Sequence, residues 1–419
     1  MNVTRRDPEL IAALLRALLL SFGPAVSNSF ARFAYALVLP AMREDLALSY
    51  AQAGWLNTAN AIGYLTGALL TRLWVRRLGN RSLFMGGMVL TSLAILATGL
   101  TRDPNLLSLL RGLGGLGGAA VFICGGTLSA NVLPSRPALA TTTIAIYFAG
   151  GGIGLMISGI GVPLLFEAYG GEAWPLAWQA MGIMGLVMSV ATLWAAARTV
   201  EPGQPTPGPS DHRSEQSQPE RTESLSASIA PLRRALISYL FFGLGYIGYM
   251  TFIIAWMREH HAPTPTVIAT WSFLGLASWL APAVWSGPLR EWPGGRPLAA
   301  AMATLTAGAA LPLLHTSAPF MLVSATLFGL AVFSTPTAIQ SLVKKGVVMS
   351  KWGEAMAGFT VVFAAGQIVG PLLAGWMADI TGSLAPGLAV SVVSLIAGVW
   401  LALTQRDVIA KEDSFHGTR

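Results

Sequence analysis

An arginine lies inside the first apolar run of the sequence, which reads SNSFARFAYALVLPAMRED from Ser27 to Asp45. If residues 17–41 cross a bilayer as one helix, Arg32 is about 5 Å from the middle of the membrane and about 13 Å from the far end of the span. An unpaired arginine at this depth costs about 2.5 to 3.5 kcal/mol, so it needs a polar cavity and a partner. Because its planar guanidinium donates paired hydrogen bonds, we predict that Arg32 binds a carboxylate, sulfonate or phosphate of a substrate. The alternative is that Arg32 bonds backbone carbonyls and serves packing.

Other polar side chains recur at helical spacing in the apolar runs, and each group falls on one face of its helix. Asn28 and Tyr35 lie four residues before Arg32 and three residues after it, so they are predicted to share its face. In the second, seventh and eleventh apolar runs the predicted substrate-binding side chains are Asn57, Asn60, Tyr64, Tyr246, Tyr249 and Gln367. The amides could instead form hydrogen bonds between helices, which contribute about 0.6 kcal/mol each on average.

The composition is that of a membrane protein with many spans. Hydrophobic residues make up 53% of the 419 residues and charged residues 11%, and the mean hydropathy is +0.60. We therefore predict an all-α membrane protein in which the first span is retained and is not a cleaved signal peptide. The twelve predicted transmembrane helices cover residues 17–41, 51–71, 82–100, 106–131, 139–166, 174–197, 235–257, 266–286, 297–315, 319–342, 354–377 and 384–404.

The predicted spans form two pseudo-symmetric bundles of six helices. The N-terminal half covers residues 1–198 and the C-terminal half covers residues 234–419. Residues 199–233 between them are rich in Pro, Ser, Glu and Gln, a composition that predicts a disordered linker. Because each half has an even number of spans, both termini and the linker are expected on one side of the membrane.

The basic residues predict which side this is. Of the 26 Lys and Arg residues, only Arg43, Arg102 and Arg258 lie in loops on the other side, and only Arg32 and Arg111 lie within spans. Both termini and the linker are therefore predicted to be cytoplasmic. The net charge of +7 then reflects orientation and contact with the lipid bilayer, and we expect no nucleic-acid partner.

The two halves also repeat each other at a constant offset of 215 residues. This shift aligns AMRE at 41–44 with WMRE at 256–259, and it aligns Gly114 with Gly329. Duplicated six-span halves are typical of transporters, whose substrate site lies between the halves near the midplane. The counterpart of Arg32 in the second half is Ile247, so the charge is better explained by a site than by the repeated scaffold.

The six plus six spans, the central linker and the basic loops resemble the major facilitator superfamily over residues 10–405. Its loop motif is clearest as GPLREWPGGR between spans eight and nine, where Glu291 and Arg296 occupy matching positions. Between spans two and three Arg72 is kept, but Thr71 replaces the acid. The resemblance implies that Arg72, Glu291 and Arg296 take part in gating, and the missing acid weakens the first copy of this gate.

Two further resemblances bear on function. The run LLRGLGGLGGA in span four is similar to a motif of proton-coupled members, which implies a coupling role for Arg111, although Arg111 could instead reach the lipid headgroups. ARFAYALVLPAMRED and GQIVGPLLAG resemble the YbfB/YjiJ-type branch, which implies a bacterial inner-membrane transporter. All Asp and Glu lie in termini, loops or span ends, so a coupled proton would travel on the substrate, or Arg32 and Arg111 would alternate between substrate and water.

We therefore expect a monomeric secondary active transporter that moves a small organic anion, with coupling to protons, by alternating access. An exporter of lipophilic or drug-like compounds is the alternative within transport, and a non-transporting receptor or assembly factor is the alternative outside it. We expect no enzyme activity, no cofactor and no metal site, since His260 and His261 with Glu259 are better read as a solvated turn. The glycine runs are predicted to serve helix packing. Trp271 and Trp279 are predicted to face lipid or the interface, with lining of the central cavity as the alternative.

Overall fold

The computed structural model describes residues 8–136, 139–201, 230–348 and 351–408. Apart from short loops these residues are helical, and the stretch Tyr50–Thr98 divides at Gly79 into two helices. The helices are α1 Pro8–Asp45, α2 50–78, α3 80–98, α4 Pro104–Ala130, α5 Ala140–Tyr169, α6 Trp174–Ala197, α7 Arg233–Glu259, α8 Thr264–Glu291, α9 Arg296–Leu314, α10 Ala318–Gly346, α11 Trp352–Thr381 and α12 Leu384–Leu403.

Eleven helical stretches in the described residues are long and apolar enough to cross a membrane. One of them, Tyr50–Thr98, has 49 residues and would be about 74 Å long as a single helix, more than twice the thickness of a bilayer core. Its break at Gly79, with φ 77° and ψ 162°, turns it into two spans. The described chain therefore has twelve spanning helices, which confirms the predicted all-α fold.

The glycine break belongs to the internal repeat. Gly294, which lies 215 residues after Gly79, also has a positive φ, and it stands between α8 and α9. An acid caps each turn: Glu201 accepts hydrogen bonds from the backbone N–H groups of Asn80 and Arg81, and Asp407 accepts one from Gly294. In each half, therefore, an acidic residue that follows the sixth helix accepts a hydrogen bond from the backbone at the start of the third helix.

Most of the predicted linker, residues 202–229, lies outside the described residues. Its first residues, 199–201, are packed against the N-terminal half instead of being part of a disordered segment. Thr199 is buried, and Glu201 caps α3 through the bonds given above. The linker is therefore shorter at its N-terminal end than composition predicted.

The first helix is irregular at the level of Arg32. Residues Ala25–Phe33 form a π-helix, whose bonds join an N–H to the carbonyl five residues earlier, as the N–H of Ala34 does with Ser29 at 2.7 Å. A π-helix widens the turn and occurs frequently at functional sites. The widened turn changes which side chains lie above one another, so spacing rules for an α-helix do not hold there.

In each half the first helix begins and the last helix ends on the same side of the protein, which we call the terminal side. We call the opposite side the distal side. From the membrane centre to the distal side the halves are in contact through α2 with α11, α1 with α7, and α5 with α8. Thr58 of α2 donates to the carbonyl of Ile368 at 2.8 Å, and Asp379 of α11 accepts from the N–H groups of Tyr50 and Ala51 at 2.7 and 2.9 Å. The halves are thus closed on the distal side.

Candidate functional site

Arg32 is buried near the centre of the fold with part of its guanidinium unpaired. The residue is 6% exposed, and Nε and Nη2 have no hydrogen-bond partner among the described residues. These two nitrogens form one edge of the guanidinium, and their N–H bonds point the same way, as required to bind both oxygens of one carboxylate. The guanidinium carbon lies 5.4 Å from the centre of the Tyr64 ring in α2.

An amide from the C-terminal half lies beside this arginine. Gln367 of α11 donates a hydrogen bond from Nε2 to the hydroxyl of Tyr246 in α7. Its Oε1 is buried and has no partner in the described part of the chain. Arg32 lies over the Tyr64 ring of α2, and Thr58 of the same helix donates to the carbonyl of Ile368, next to Gln367, so α2 links Arg32 to the C-terminal half. The structure thus brings together Arg32, Tyr64, Tyr246 and Gln367, with free donors on the arginine and a free acceptor on the amide.

The other predicted polar residues mostly bind protein groups. Asn57 donates from Nδ2 to Thr251 of α7 at 2.6 Å, although its Oδ1 is buried without a partner. Asn60 donates to the carbonyl of Arg111 at 3.1 Å. The hydroxyls of Tyr249 and Ser324 share a hydrogen bond of 2.7 Å. Asn60 and Tyr249 therefore serve helix packing, whereas Asn57 joins α2 to α7 across the halves.

On α1 the predicted face holds only in part. Asn28 is buried, four residues before Arg32, within the same π-helical segment. Tyr35 lies apart from the Arg32 edge: its hydroxyl donates to the carbonyl of Ala53 at 2.8 Å, and its ring packs under Arg111 at 4.7 Å. The prediction that Tyr35 shares a face with Arg32 assumed α-helical spacing, and the π-helix ends just before Tyr35.

Arg111 anchors the segment that carries Arg32. It is 2% exposed, so the alternative of reaching lipid headgroups is wrong. Its Nη1 donates to the carbonyl of Ala31, and its Nε lies 3.5 Å from the carbonyl of Leu56. Trp178 of α6 stacks near the guanidinium at 5.2 Å. Arg111 of α4 therefore bonds both α1 and α2. Its bond to α1 is to Ala31, the residue before Arg32, so Arg111 positions the segment that carries Arg32.

Replacing Arg32 or Arg111 by a neutral glutamine should change the free energy of unfolding in different directions. We expect Arg111→Gln to lower the free energy of unfolding by about 2 kcal/mol, because two backbone carbonyls lose a charged donor. We expect Arg32→Gln to keep or raise it, because the variant removes a buried charge with unpaired N–H groups. Thermal unfolding of the purified protein in detergent, followed by intrinsic fluorescence, measures both. Equal destabilisation by the two variants would show that Arg32 is a packing residue too.

The residues assigned to gating by resemblance lie on the terminal side and are exposed. Arg72 is exposed on α2, and Glu291 pairs at 2.8 Å with its exposed neighbour Arg290. Arg296 lies with Trp292 at a surface groove between α9 and α12. In this conformation Glu291 therefore pairs with Arg290, the residue before it in the chain.

Two tryptophans of α8 differ from each other. Trp279 is 51% exposed, which agrees with a lipid-facing side chain. Trp271 is fully buried against Gly159 of α5 at the contact between the halves, so the lipid-facing prediction was wrong for it. The glycines of α4 do pack closely, as predicted: a Cβ on Gly115 would meet the backbone of Asn60 in α2. Within the described ranges no group of three metal-ligating side chains occurs.

Comparison with known proteins agrees with this architecture. The sequence matches, over residues 25–403, the family described as uncharacterised MFS-type transporter YbfB. The fold is similar to that of the nucleoside transporter NupG, with a TM-score of 0.68, 12% identity, and coverage of 93% of this chain and 98% of NupG. No curated protein sequence matches the chain.

A second solved structure is a bacterial homologue of the human lysosomal transporter Spinster in an inward-facing and unoccupied conformation. Its TM-score is 0.65 at 15% identity, and 96% of each chain is covered. At such identities the solved structures show the shared fold, and the family match adds the assignment. Since that match spans most of the sequence, the chain belongs to the YbfB-like family of major facilitator superfamily transporters, multi-pass membrane proteins that are not enzymes.

Proposed function

We propose that this transporter carries a small organic anion, and that Arg32 binds the anionic group. The observation that carries the proposal is the buried guanidinium edge of Arg32, where Nε and Nη2 lack partners. Of the acidic residues in the described ranges, none forms an ion pair with Arg32. A buried arginine without an acid nearby is stabilised when an anion binds, because charge-assisted hydrogen bonds replace the lost hydration.

The site lies where alternating access requires it. Tyr64 and Arg32 belong to the N-terminal half, and Tyr246 and Gln367 belong to the C-terminal half, so one ligand can contact both. We infer that the halves, 1–198 and 234–419, rock about this site, with the linker and termini in the cytoplasm of a cell with an inner membrane. Closure of the distal side then corresponds to an inward-facing or occluded state of a monomer.

Proton coupling fits a carried proton better than a fixed relay. The acids that form bonds in the described ranges lie at helix ends or in loops: Glu9, Asp45, Asp103, Glu201, Glu259, Glu291, Asp379 and Asp407. A carboxylic acid that crosses with its proton needs no buried carboxylate on the protein. We therefore propose that anion and proton move together.

The experiment is a ligand screen with two readouts. Purified protein is heated with carboxylates, sulfonates, amines and neutral drug-like compounds, since a ligand that binds only the folded state raises the apparent melting temperature. The ligands that bind are then tested for counterflow exchange in proteoliposomes. We expect stabilisation and exchange with anions. Stabilisation by amines or neutral compounds alone would overturn the anion proposal, and anion binding without exchange would indicate a receptor.

A further inference from the structure

The C-terminal half presents a stack of parallel aromatic rings on the terminal side of Gln367. Tyr239, Phe242 and Tyr246 of α7 and Phe363 of α11 form it. Each ring pair is within 14° of parallel, and the centroid distances run from 4.6 Å for Tyr239 with Phe363 to 5.7 Å for Tyr246 with Phe363. Phe363 is the partly exposed member, whereas the other three rings are buried.

The N-terminal half faces this stack with a second aromatic wall. Tyr64 of α2, Phe122 of α4 and Phe148 of α5 follow one another, with centroids 6.4 and 4.8 Å apart. Thr58 of α2 donates to the carbonyl of Ile368, the residue after Gln367 in α11, so helices that carry the two walls are in contact across the halves. Each wall also has a ring beside a polar group, Tyr64 next to Arg32 and Tyr246 next to Gln367.

Arg32 and Gln367 offer a ligand different hydrogen-bonding groups. Arg32 offers two parallel donors, which match the two coplanar oxygens of a carboxylate. Gln367 offers an acceptor through Oε1, which a hydroxyl or N–H of a ligand would satisfy. A ligand that leaves this acceptor unpaired loses affinity, because a buried polar atom then stays without a hydrogen bond.

We propose that the substrate is a planar aromatic carboxylate that also carries a hydrogen-bond donor, as a hydroxybenzoate does. This inference rests on the proposed anion function and narrows it. The carboxylate lies on the Nε and Nη2 edge of Arg32, the ring stacks between the two aromatic walls, and the donor reaches Gln367. A carboxylate conjugated to a ring is coplanar with it, so one rigid ligand satisfies the flat slot and the flat edge together.

The first test uses the unaltered protein and a matched ligand series. Binding of 4-hydroxybenzoate, benzoate and 4-hydroxycyclohexanecarboxylate is measured by isothermal titration calorimetry in detergent. We expect 4-hydroxybenzoate to bind about 10-fold more tightly than its saturated analogue, and several-fold more tightly than benzoate. Equal affinities for the aromatic and saturated acids would overturn the aromatic inference and leave the anion function standing. Failure of every carboxylate to bind would overturn both.

The second test locates the preference on named residues. Phe363→Leu keeps the volume apolar but removes one ring face, so the ratio of affinities for the aromatic and saturated acids should fall to about 2-fold. Gln367→Leu should remove the advantage of 4-hydroxybenzoate over benzoate. Trp400→Leu, on α12, which packs against helices of the C-terminal half, changes an aromatic that is 65% exposed; it is the control and should change neither ratio. Unchanged ratios in both site variants would contradict the placement of the ligand.

Discussion

Replacing Arg32 by lysine is expected to reduce exchange of the carried anion in proteoliposomes about 100-fold or more, with the protein still folded. Lysine keeps the positive charge, but its ammonium has no edge of two parallel N–H bonds. The two hydrogen bonds on the Nε and Nη2 edge are each worth about 1.5 to 3 kcal/mol when the acceptor is charged, and losing one correctly aligned pair accounts for the factor. Initial rates of labelled-anion counterflow measure the effect.

Arg76→Lys is the matched control. Arg76 is exposed on the terminal side of α2, so this variant makes the same change of side chain outside the site. It should keep the wild-type rate. The melting temperature of each variant verifies that the loss is not unfolding, and Arg32→Lys should melt close to the wild type. Wild-type exchange by Arg32→Lys would remove Arg32 from substrate binding, and exchange reduced equally in Arg76→Lys would show that the loss does not depend on the guanidinium edge of Arg32.

Helix number and the unusual arginine were both readable from sequence, for a physical reason. A helix of about 20 apolar residues satisfies its own backbone in lipid, so spans are visible as apolar runs, and eleven helical stretches plus the break at Gly79 recover the twelve predicted spans. A charge in such a run is rare because it is costly, so Arg32 was visible as an exception. The offset of 215 residues seen in the sequence also relates Gly79 to Gly294, and the structure shows a positive φ at both.

The neighbours of Arg32 were less predictable, because they depend on backbone geometry and on other helices. Tyr35 was grouped with Arg32 by i, i+3 spacing, and the π-helix at Ala25–Phe33 invalidates that spacing. Arg111 was placed near the membrane surface from its position in span four. Its actual partners, the carbonyls of Ala31 and Leu56, lie on two other helices, and only tertiary packing brings them together.

The aromatic walls were missed for a different reason. In a chain with 53% hydrophobic residues, a phenylalanine that faces lipid and one that lines a cavity have the same local sequence context. Phe363 and Phe122 therefore carried no signal, whereas Tyr64 and Tyr246 did because their hydroxyls are unusual in apolar runs. Trp271, taken as lipid-facing by frequency, lies between the halves. Helical spacing therefore identifies candidate site residues among polar side chains, but it does not identify them among apolar ones.

The distal closure rests on a carboxylate that spans the halves. Asp379 of α11 accepts from the first two N–H groups of α2, those of Tyr50 and Ala51, while Ser49 caps the third, that of Gln52. These N–H groups have no partner within their own helix, and the helix dipole adds attraction for a negative charge. The hydroxyl of Tyr50 also bonds Glu259 of α7. Opening the distal side must break these contacts.

Asp379→Asn should therefore shift the protein towards a state that is open on the distal side. The amide keeps one acceptor oxygen, but its NH2 opposes the second N–H and the charge is lost, so the ratio of open to closed molecules should rise about tenfold or more. Spin labels at Asn105→Cys and Ala318→Cys, on distal ends of α4 and α10, report the distance, since the native Cys124 is buried. A longer distance population should become prominent in the variant.

Glu44→Gln provides the control for this prediction, because it neutralises an exposed carboxylate on the same distal side that does not accept from the N–H groups of Tyr50 and Ala51. Its distance distribution should match that of the wild type. A shift in Glu44→Gln as large as that in Asp379→Asn would mean that distal charge alone sets the equilibrium, and unchanged distances in Asp379→Asn would show that apolar contacts hold the closure. If the expected shift is found, one carboxylate at a helix N-terminus sets the balance between the two access states, because it bonds α2 in the closed state only.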